Sequence, residues 1–277
     1  MVLMIRKCYP NGKTKAFSVS YDDGVLQDVR LVALLNRYGI RGTFNLNSRL
    51  MREEFAWIHE NGMTVRRLDV AAAQNLYGDH EIASHTLSHP YMDSLTEAEI
   101  MEQMAQDKGN LEAIFGRKIS GFAVPFTYYS DLIADCARRC GFTYARMSDF
   151  SLSFDPWQDR YYWKSGVFYL QPELMDFVEA FLRTDQELAL CQIVGHSYDL
   201  DAENLWATTE DIFRRISRRK DIWRATNLEI VEYLTAMNKA ELGSGFVRNT
   251  SCRELWFTVS GNVICLRPGE IYKEDCL

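Results

Sequence analysis

The chain has 277 residues, 47% of them hydrophobic and 25% charged. These are ordinary globular values with enough apolar material for a core, so intrinsic disorder and fibrous architectures are excluded and one to two domains are expected. Lys plus Arg number 31 against 38 Asp plus Glu, a net charge of -7 that offers no electrostatic footprint for nucleic acid or an anionic membrane, so a small or neutral partner is expected.

Lys15 to Tyr21 is a short β-rich run, and Leu26 to Tyr38 carries its apolar residues at a helical period, with Gly39 where a C-cap glycine belongs. The pattern repeats: a strand over Gly42 to Leu46, a helix over Arg52 to Glu60 ended near Gly62, and a strand near Met63 to Arg66. Asp69 caps a short helix stopped at Gly78, His80 to Ser84 reads as a strand, and Thr96-x-x-Glu99 is a capping box that opens a helix to about Phe115. Strands follow at Ile119 to Val124, Phe142 to Arg146, Ala189 to Val194 and Ile222 to Ala225, with helices near Leu132 to Arg139, Pro172 to Arg183, Thr209 to Arg219 and Leu228 to Ala240. This alternation predicts an α/β fold of βαβ crossovers with parallel strands closing into a barrel, an open doubly wound sheet being the alternative.

Between Met147 and Leu170 the alternation lapses into an aromatic-rich loop, a kind of long loop that is usually functional. After Gly243 the period changes: Glu254 to Val259 and Val263 to Leu266 flank Ser260-Gly261-Asn262, a hairpin signal. The expected division is a barrel over residues 1–243 and a small β appendage over 244–277.

No apolar run approaches the roughly 18 residues of a membrane span. The amino end has a five-residue apolar start broken by Arg6, Lys7 and Pro10, and the seven cysteines, an odd count without Cys-x-x-Cys pairs, read as reduced thiols; a cytoplasmic location is expected.

Reactive groups in α/β folds gather at the carboxyl ends of strands. Asp22-Asp23-Gly24, His85 with His89, Pro125-Phe126, and His196 occupy such positions. The i, i+4 spacing of His85 and His89 puts both imidazoles on one face if the segment is a helical turn, which suits a tetrahedral zinc; alternatively they are two polar residues of a loop. Asp22-Asp23 is ordinary turn chemistry, or a like-charge pair that a cation relieves, and His196 is a hydrogen-bonded strand-end residue or a general acid titrating near neutral pH.

Taken in order, Ser20-Tyr21-Asp22-Asp23-Gly24, His85-Thr86-Leu87-Ser88-His89, Pro125-Phe126 and His196 resemble the polysaccharide deacetylases, which include chitin, peptidoglycan and acetylxylan deacetylases; the resemblance covers roughly residues 15 to 240. It implies an irregular (β/α) barrel in which Asp22 is the catalytic base, Asp23, His85 and His89 hold a divalent metal, most simply Zn²⁺, His196 is the general acid, and the Phe126 backbone N–H helps hold the oxyanion. The implied activity is metal-dependent hydrolysis of acetyl groups from an acetylated oligosaccharide. A non-catalytic carbohydrate-binding protein and a hydrolase of another C–N bond are the alternatives.

The chain departs from that family at two places. An Arg usual two residues before the Pro is replaced by Ala123, and the later Asp-Trp pair that supports the acid is not clearly present, although Asp155, Trp157, Asp159 and Trp163 lie in that stretch. A base beside a metal needs an orienting partner, and the strand Phe142 to Ala145 ends at Arg146, which a parallel barrel sets at the same rim one strand over. Arg146 is therefore expected to pair with Asp22, or else to be a solvent-facing strand-end residue.

Overall fold

The computed structural model describes residues 4–126 and 128–273. The amino-terminal apolar start and the last four residues of the expected appendage therefore lie partly or wholly outside the described residues.

Strand β1 (Lys15–Asp22) alternates Phe17, Val19 and Tyr21 with Ser18, Ser20 and Asp22, and every one of its residues is buried. Side chains alternate across a strand, so β1 presents two different buried faces. Its aromatic and aliphatic face joins an apolar core with helices Asp28–Arg37, Leu174–Arg183 and Trp206–Ser217. Its polar face meets polar side chains of other strands. Asn45 Nδ2 donates to Ser20 Oγ (2.8 Å), and Asn227 Oδ1 accepts from Ser18 Oγ (2.6 Å) and Gln192 Nε2 (2.9 Å). Each of these residues shares at least one hydrogen bond with a neighbour, which makes a polar interior tolerable, while Asn45 Oδ1, Gln192 Oε1 and Asn227 Nδ2 stay without a partner among the described residues.

The sheet that encloses this interior comprises β1, β2 (Thr43–Leu46), β3 (Glu81–Ser84), β4 (Gly121–Ala123), β5 (Tyr144–Phe150), β6 (Trp163–Ser165), β7 (Val167–Phe168), β8 (Ala189–His196) and β9 (Ile222–Arg224). Their spatial order is β7-β8-β1-β2-β3-β4-β5-β6, with β9 beside the first half of β1, and every pairing is parallel. The two ends of that path are one stretch of chain: β6 and β7 are separated by Gly166 alone, so the ring closes through a strand that changes partner. A Cβ at Gly166 would lie 2.6 Å from the Gln192 carbonyl oxygen, so only glycine permits that approach. This is a (β/α) barrel, as the alternation of elements predicts.

Two expectations are corrected. Residues 52–60 are not a helix: a 3₁₀ turn (Glu53–Phe55) leads into an antiparallel pair, Trp57–Ile58 with Thr64–Val65, outside the barrel sheet. Asn61-Gly62 turns the chain between them, Gly62 having φ 86° and donating to the His59 carbonyl (2.8 Å). The aromatic stretch after Met147 is also only partly loop, because β6 and β7 lie inside it and complete the ring.

The hairpin near the carboxyl end is present as Leu255–Val259 and Asn262–Leu266, turned by Ser260 and Gly261, both at positive φ. Its first strand also pairs antiparallel with Ile5–Cys8, so the two ends of the chain share one small sheet. That sheet packs on helix Asn227–Met237 through a second apolar cluster including Tyr9, Tyr233, Leu255 and Phe257. No helix of the described residues is long and apolar enough to cross a membrane.

Candidate active site

The carboxyl ends of β1, β3, β4, β5 and β8 converge on one cavity of about 430 Å³ whose lining includes Asp22, Asp23, His85, His89, Phe126, Arg146 and His196. Asp22 ends β1 in register with Asn45 of β2 and His196 of β8, so sheet pairing alone sets these three side by side. Asn45 Nδ2 donates to Asp22 Oδ1 (2.6 Å). Arg146 Nη2 lies 2.5 Å from Asp22 Oδ1 and 2.7 Å from Oδ2, and Arg146 is only 2% exposed. Arg146 stands beside Ala123 in the parallel register of β4 and β5, which is how a guanidinium one strand over reaches the carboxylate from this rim. Burial pushes the Asp22 carboxyl upward, but the Arg146 charge, with His85 and His196, outweighs it and holds the group below its ordinary value, ionised and able to accept a proton.

Asp23 has φ 85°, which turns its side chain out of the strand line. Its Oδ1 accepts from Arg67 Nη1 (3.0 Å), and the same guanidinium donates to the Asp23 carbonyl. Arg67, on the segment after the small hairpin, thereby holds Asp23 far below the usual carboxylate range against the opposing effect of burial.

His85 and His89 come from a loop. Thr86 (φ 71°) and His89 (φ 56°) are left-handed, and this backbone, not a helical turn, brings the rings to 4.9 Å between centroids. The helical basis for their i, i+4 spacing is therefore corrected. Asn47 Nδ2 anchors the loop by donating to the carbonyls of Thr86 (2.9 Å) and His85. His85 Nδ1 is 2.9 Å from the Ala123 carbonyl oxygen, an atom that can only accept, so Nδ1 carries the proton and Nε2 keeps its lone pair. Burial lowers the His85 pKa to about 4 and that of His89 as well, which keeps both rings neutral at pH 7. One ligand atom each from Asp23, His85 and His89 lie within 4.8 Å of one another, the one such group of three found among the described residues. Neutral imidazoles with a lone pair free and a carboxylate that stays ionised are the protonation states metal ligation requires.

His196 faces Asp23 from the other side, its Nε2 4.0 Å from Asp23 Oδ2. Its Nδ1 is 2.9 Å from Oδ2 of Asp199, three residues on in the short helix Ser197–Ala202. Burial alone would lower the His196 pKa, but the Asp199 hydrogen bond and the charges of Asp23, Asp199 and Asp22 raise it to about 9. A cation at Asp23 would remove that residue's share of the effect and leave the Asp199 bond intact. Tyr198 stacks on the imidazole at 4.8 Å and 15°.

Phe126 has φ 56°, and its ring packs on His89 (4.5 Å) and stacks on exposed Tyr91 (3.9 Å, 8°). Asp155, Trp157, Asp159 and Trp163 do not line this cavity. Asp155 and Asp159 accept from the backbone N–H groups of Trp157 (2.9 Å) and Tyr161 (2.8 Å), while Trp157 and Trp163 border a separate groove against Val231 and Leu234. Asn45, Asn47, Arg67 and Asp199 hold the site together and were not singled out from sequence. The i, i+3 spacing of His196 and Asp199 is the one local signal for any of them.

Residues 10–145 match the family model described as polysaccharide deacetylase. A chitin deacetylase from Pestalotiopsis sp is 31% identical over 102 residues, 36% of this chain and 30% of that protein. The alignments span only about a third of the curated relatives, 30% and 37% of their lengths. Among solved structures, a Mycobacterium smegmatis protein is similar with a TM-score of 0.59 at 15% identity, covering 84% of this chain and 94% of that one. The Xyl-CE4 domain of a multidomain xylanase from the hindgut metagenome of Trinervitermes trinervoides is similar with a TM-score of 0.52 at 14% identity, covering 87% and 96%. At such identities these structures share the barrel fold with this chain.

Proposed function

The chain belongs to the polysaccharide deacetylase family, and from that premise we propose that it is a metal-dependent hydrolase that removes acetyl groups, as amides or esters, from a carbohydrate of oligosaccharide size. The observation that carries the reading is the Arg146-clamped carboxylate of Asp22 in one cavity with the Asp23–His85–His89 group and, in register beside it, His196. Asp23, His85 and His89 would hold the ion, and their nitrogen and oxygen donors suit Zn²⁺. When bound, the ion supplies Lewis acidity toward the acyl carbonyl and the attacking water.

The chain's own residues do the rest. Asp22 accepts the proton of the attacking water, and Arg146 with Asn45 keeps its two oxygens from rotating away. His196, tethered through Nδ1 to Asp199, presents Nε2 to the leaving nitrogen or oxygen and protonates it. The backbone N–H of Phe126 is the proposed donor to the carbonyl oxygen as negative charge develops there. The six described cysteines are all unpaired, which supports the cytoplasm as the place of action.

Two substitutions test the assignment together. His85→Ala is expected to lose stoichiometric metal after dialysis against a chelator, read by elemental analysis. Asp22→Asn is expected to keep its metal while acetate release falls by about 10²- to 10⁴-fold, the span that a general base contributes. Loss of metal in Asp22→Asn recasts that residue as a ligand; absence of acetate release from the metal-loaded natural protein favours a binding role.

A further inference from the structure

The small hairpin of Trp57–Ile58 and Thr64–Val65 stands outside the barrel sheet, and none of residues 57–65 lines the cavity in front of Asp22. It is nevertheless fastened to the rim. The Leu26 N–H donates to the Arg66 carbonyl and the Leu68 N–H to the Gly24 carbonyl, both at 2.9 Å, and Val25 pairs with Arg67 in an isolated antiparallel bridge. These bonds set the segment after the hairpin against the turn that follows Asp23. Arg67 can thereby hold that carboxylate without belonging to a barrel strand.

One side chain of the hairpin, Trp57, touches two supports of the site. The Arg67 guanidinium lies over its indole ring, 4.7 Å from the centroid. Arg67 Nη1 donates to Asp23 Oδ1 (3.0 Å) and faces Asn47 Oδ1 (3.4 Å), whereas Nε is buried without a hydrogen-bond partner among the described residues. A guanidinium bonded through one nitrogen can swing, and a flat aromatic face against it removes that freedom. The Tyr198 ring meets the same indole at 5.3 Å and 88°. Tyr198 in turn stacks on His196, so its tilt decides where the imidazole rests. Contacts therefore run from Trp57 through Arg67 to Asp23, and from Trp57 through Tyr198 to His196.

We propose that Trp57 is a positioning residue for both halves of the site, setting the guanidinium that holds the proposed metal ligand Asp23 and the ring that backs the proposed acid His196; the inference rests on the hydrolase reading above and adds to it a residue outside the cavity. Trp57 acts by geometry alone. A carboxylate whose partner swings is a poorer ligand, and an acid displaced by about 1 Å transfers its proton poorly. Neither loss is a loss of substrate binding, since Trp57 is not among the cavity walls.

Trp57→Leu keeps an apolar side chain and removes both aromatic contacts. Its metal dissociation constant, read by competition with a chromophoric chelator, is expected to rise about tenfold, the lower end of what an outer partner of a ligand contributes. At saturating metal, kcat on N-acetylglucosamine oligosaccharides, whose amine leaves poorly, should fall by about tenfold, with KM unchanged and little change on 4-nitrophenyl acetate. Trp57→Phe keeps a ring and should recover part of both losses, leaving a shift of about threefold in each. In a Tyr198→Leu background, Trp57→Leu should still weaken metal binding but no longer alter the dependence on leaving group, which separates the two arms. Unchanged metal affinity, or equal losses on both substrate classes, makes Trp57 a structural residue only and overturns the inference. Should Trp57→Leu fail to fold, Trp57→Phe decides, and either readout standing still overturns the inference. No acetate release by the metal-loaded natural protein defeats the hydrolase reading instead; the metal constants, which need no turnover, then decide the Arg67 half.

Discussion

Five of the buried carboxylates fall into two electrostatic regions of this barrel. At the rim, Asp22 and Asp23 are held by guanidinium groups, Arg146 at 2.5 Å and Arg67 at 3.0 Å, and both sit below the ordinary carboxylate pKa. Deeper or behind the strands, Asp28, Glu81 and Asp107 are held by neutral donors alone, and burial pushes each of them up to about 7. Asp28 accepts from Tyr77 Oη (2.7 Å) and Ser197 Oγ (2.6 Å), and Asp107 from the Ser48 N–H (2.7 Å) and Ser84 Oγ (2.5 Å). Hydroxyl and amide donors stabilise a buried anion only partly, whereas a full cation nearby outweighs desolvation. The rim therefore carries fixed negative charge, while the interior carries protons that stay on until neutral pH.

The largest effect is expected where a cation is removed from the rim. Arg146→Ala leaves Asp22 as a buried charge without its counter-ion, a loss that typically costs about 3–5 kcal/mol of stability. Turnover should fall at least about 10³-fold, because a base that protonates or rotates no longer serves, while metal content stays stoichiometric. Arg146→Lys should recover part of the stability but little of the rate, since one ammonium cannot hold both carboxylate oxygens. Denaturant titration, elemental analysis and acetate release read the three quantities. Unchanged turnover in Arg146→Ala would remove the rim arginine from the mechanism.

A smaller effect is expected at Asp199, which is hydrogen-bonded to the proposed acid His196 rather than to the proposed base Asp22. Asp199→Asn keeps the shape but trades a charged acceptor for an amide, so a stability loss of about 1–2 kcal/mol is expected for one charge-assisted bond. Rates on substrates with poor leaving groups should fall on the order of 10²-fold, and rates on activated aryl esters, which leave unprotonated, should hardly change. Equal losses on both substrate classes would assign Asp199 to folding alone.

How much of this was legible in the sequence depended on whether a partner was local. The (β/α) alternation follows from side-chain period and capping, and Thr96 does form its box with Glu99 at the start of helix Glu97–Phe115. Asp22 and Arg146 are 124 residues apart, yet their pairing was accessible because parallel register puts strand ends on a common rim. Arg67 gave no comparable signal, since it reaches Asp23 from a segment outside the barrel sheet. The His85–His89 spacing was informative for the wrong reason: two left-handed residues, which no periodicity encodes, do what a helical turn was expected to do. Between residues 52 and 60 a few apolar side chains suggested a helix, but Asn61-Gly62 chemistry won and made a hairpin.

The smallest effect, on stability with no direct effect on chemistry, sharpens the contrast from the interior side. Glu81, at the start of β3, accepts from Thr43 Oγ1 (2.8 Å), Tyr144 Oη (2.8 Å) and the Leu228 N–H (2.9 Å), and no arginine pairs with it. Its pKa is about 7 in the folded chain against an ordinary 4.5, so between those values the folded state binds a proton that the unfolded state has released. Stability must then fall as pH rises through that window, by on the order of 3 kcal/mol for this group, which is opposite in sign to the contribution of Asp22 at lower pH. Asp28 and Asp107 add slopes of the same sign, so the informative quantity is the difference between natural protein and Glu81→Gln at each pH. That difference should be small near pH 4.5 and should grow in favour of the glutamine variant up to about pH 7, then level off, as read by denaturant unfolding at closely spaced pH values. A difference that stays flat across the window would mean that three neutral donors suffice to keep Glu81 ionised, and the division between rim and interior would then rest on the arginines' geometry rather than on charge.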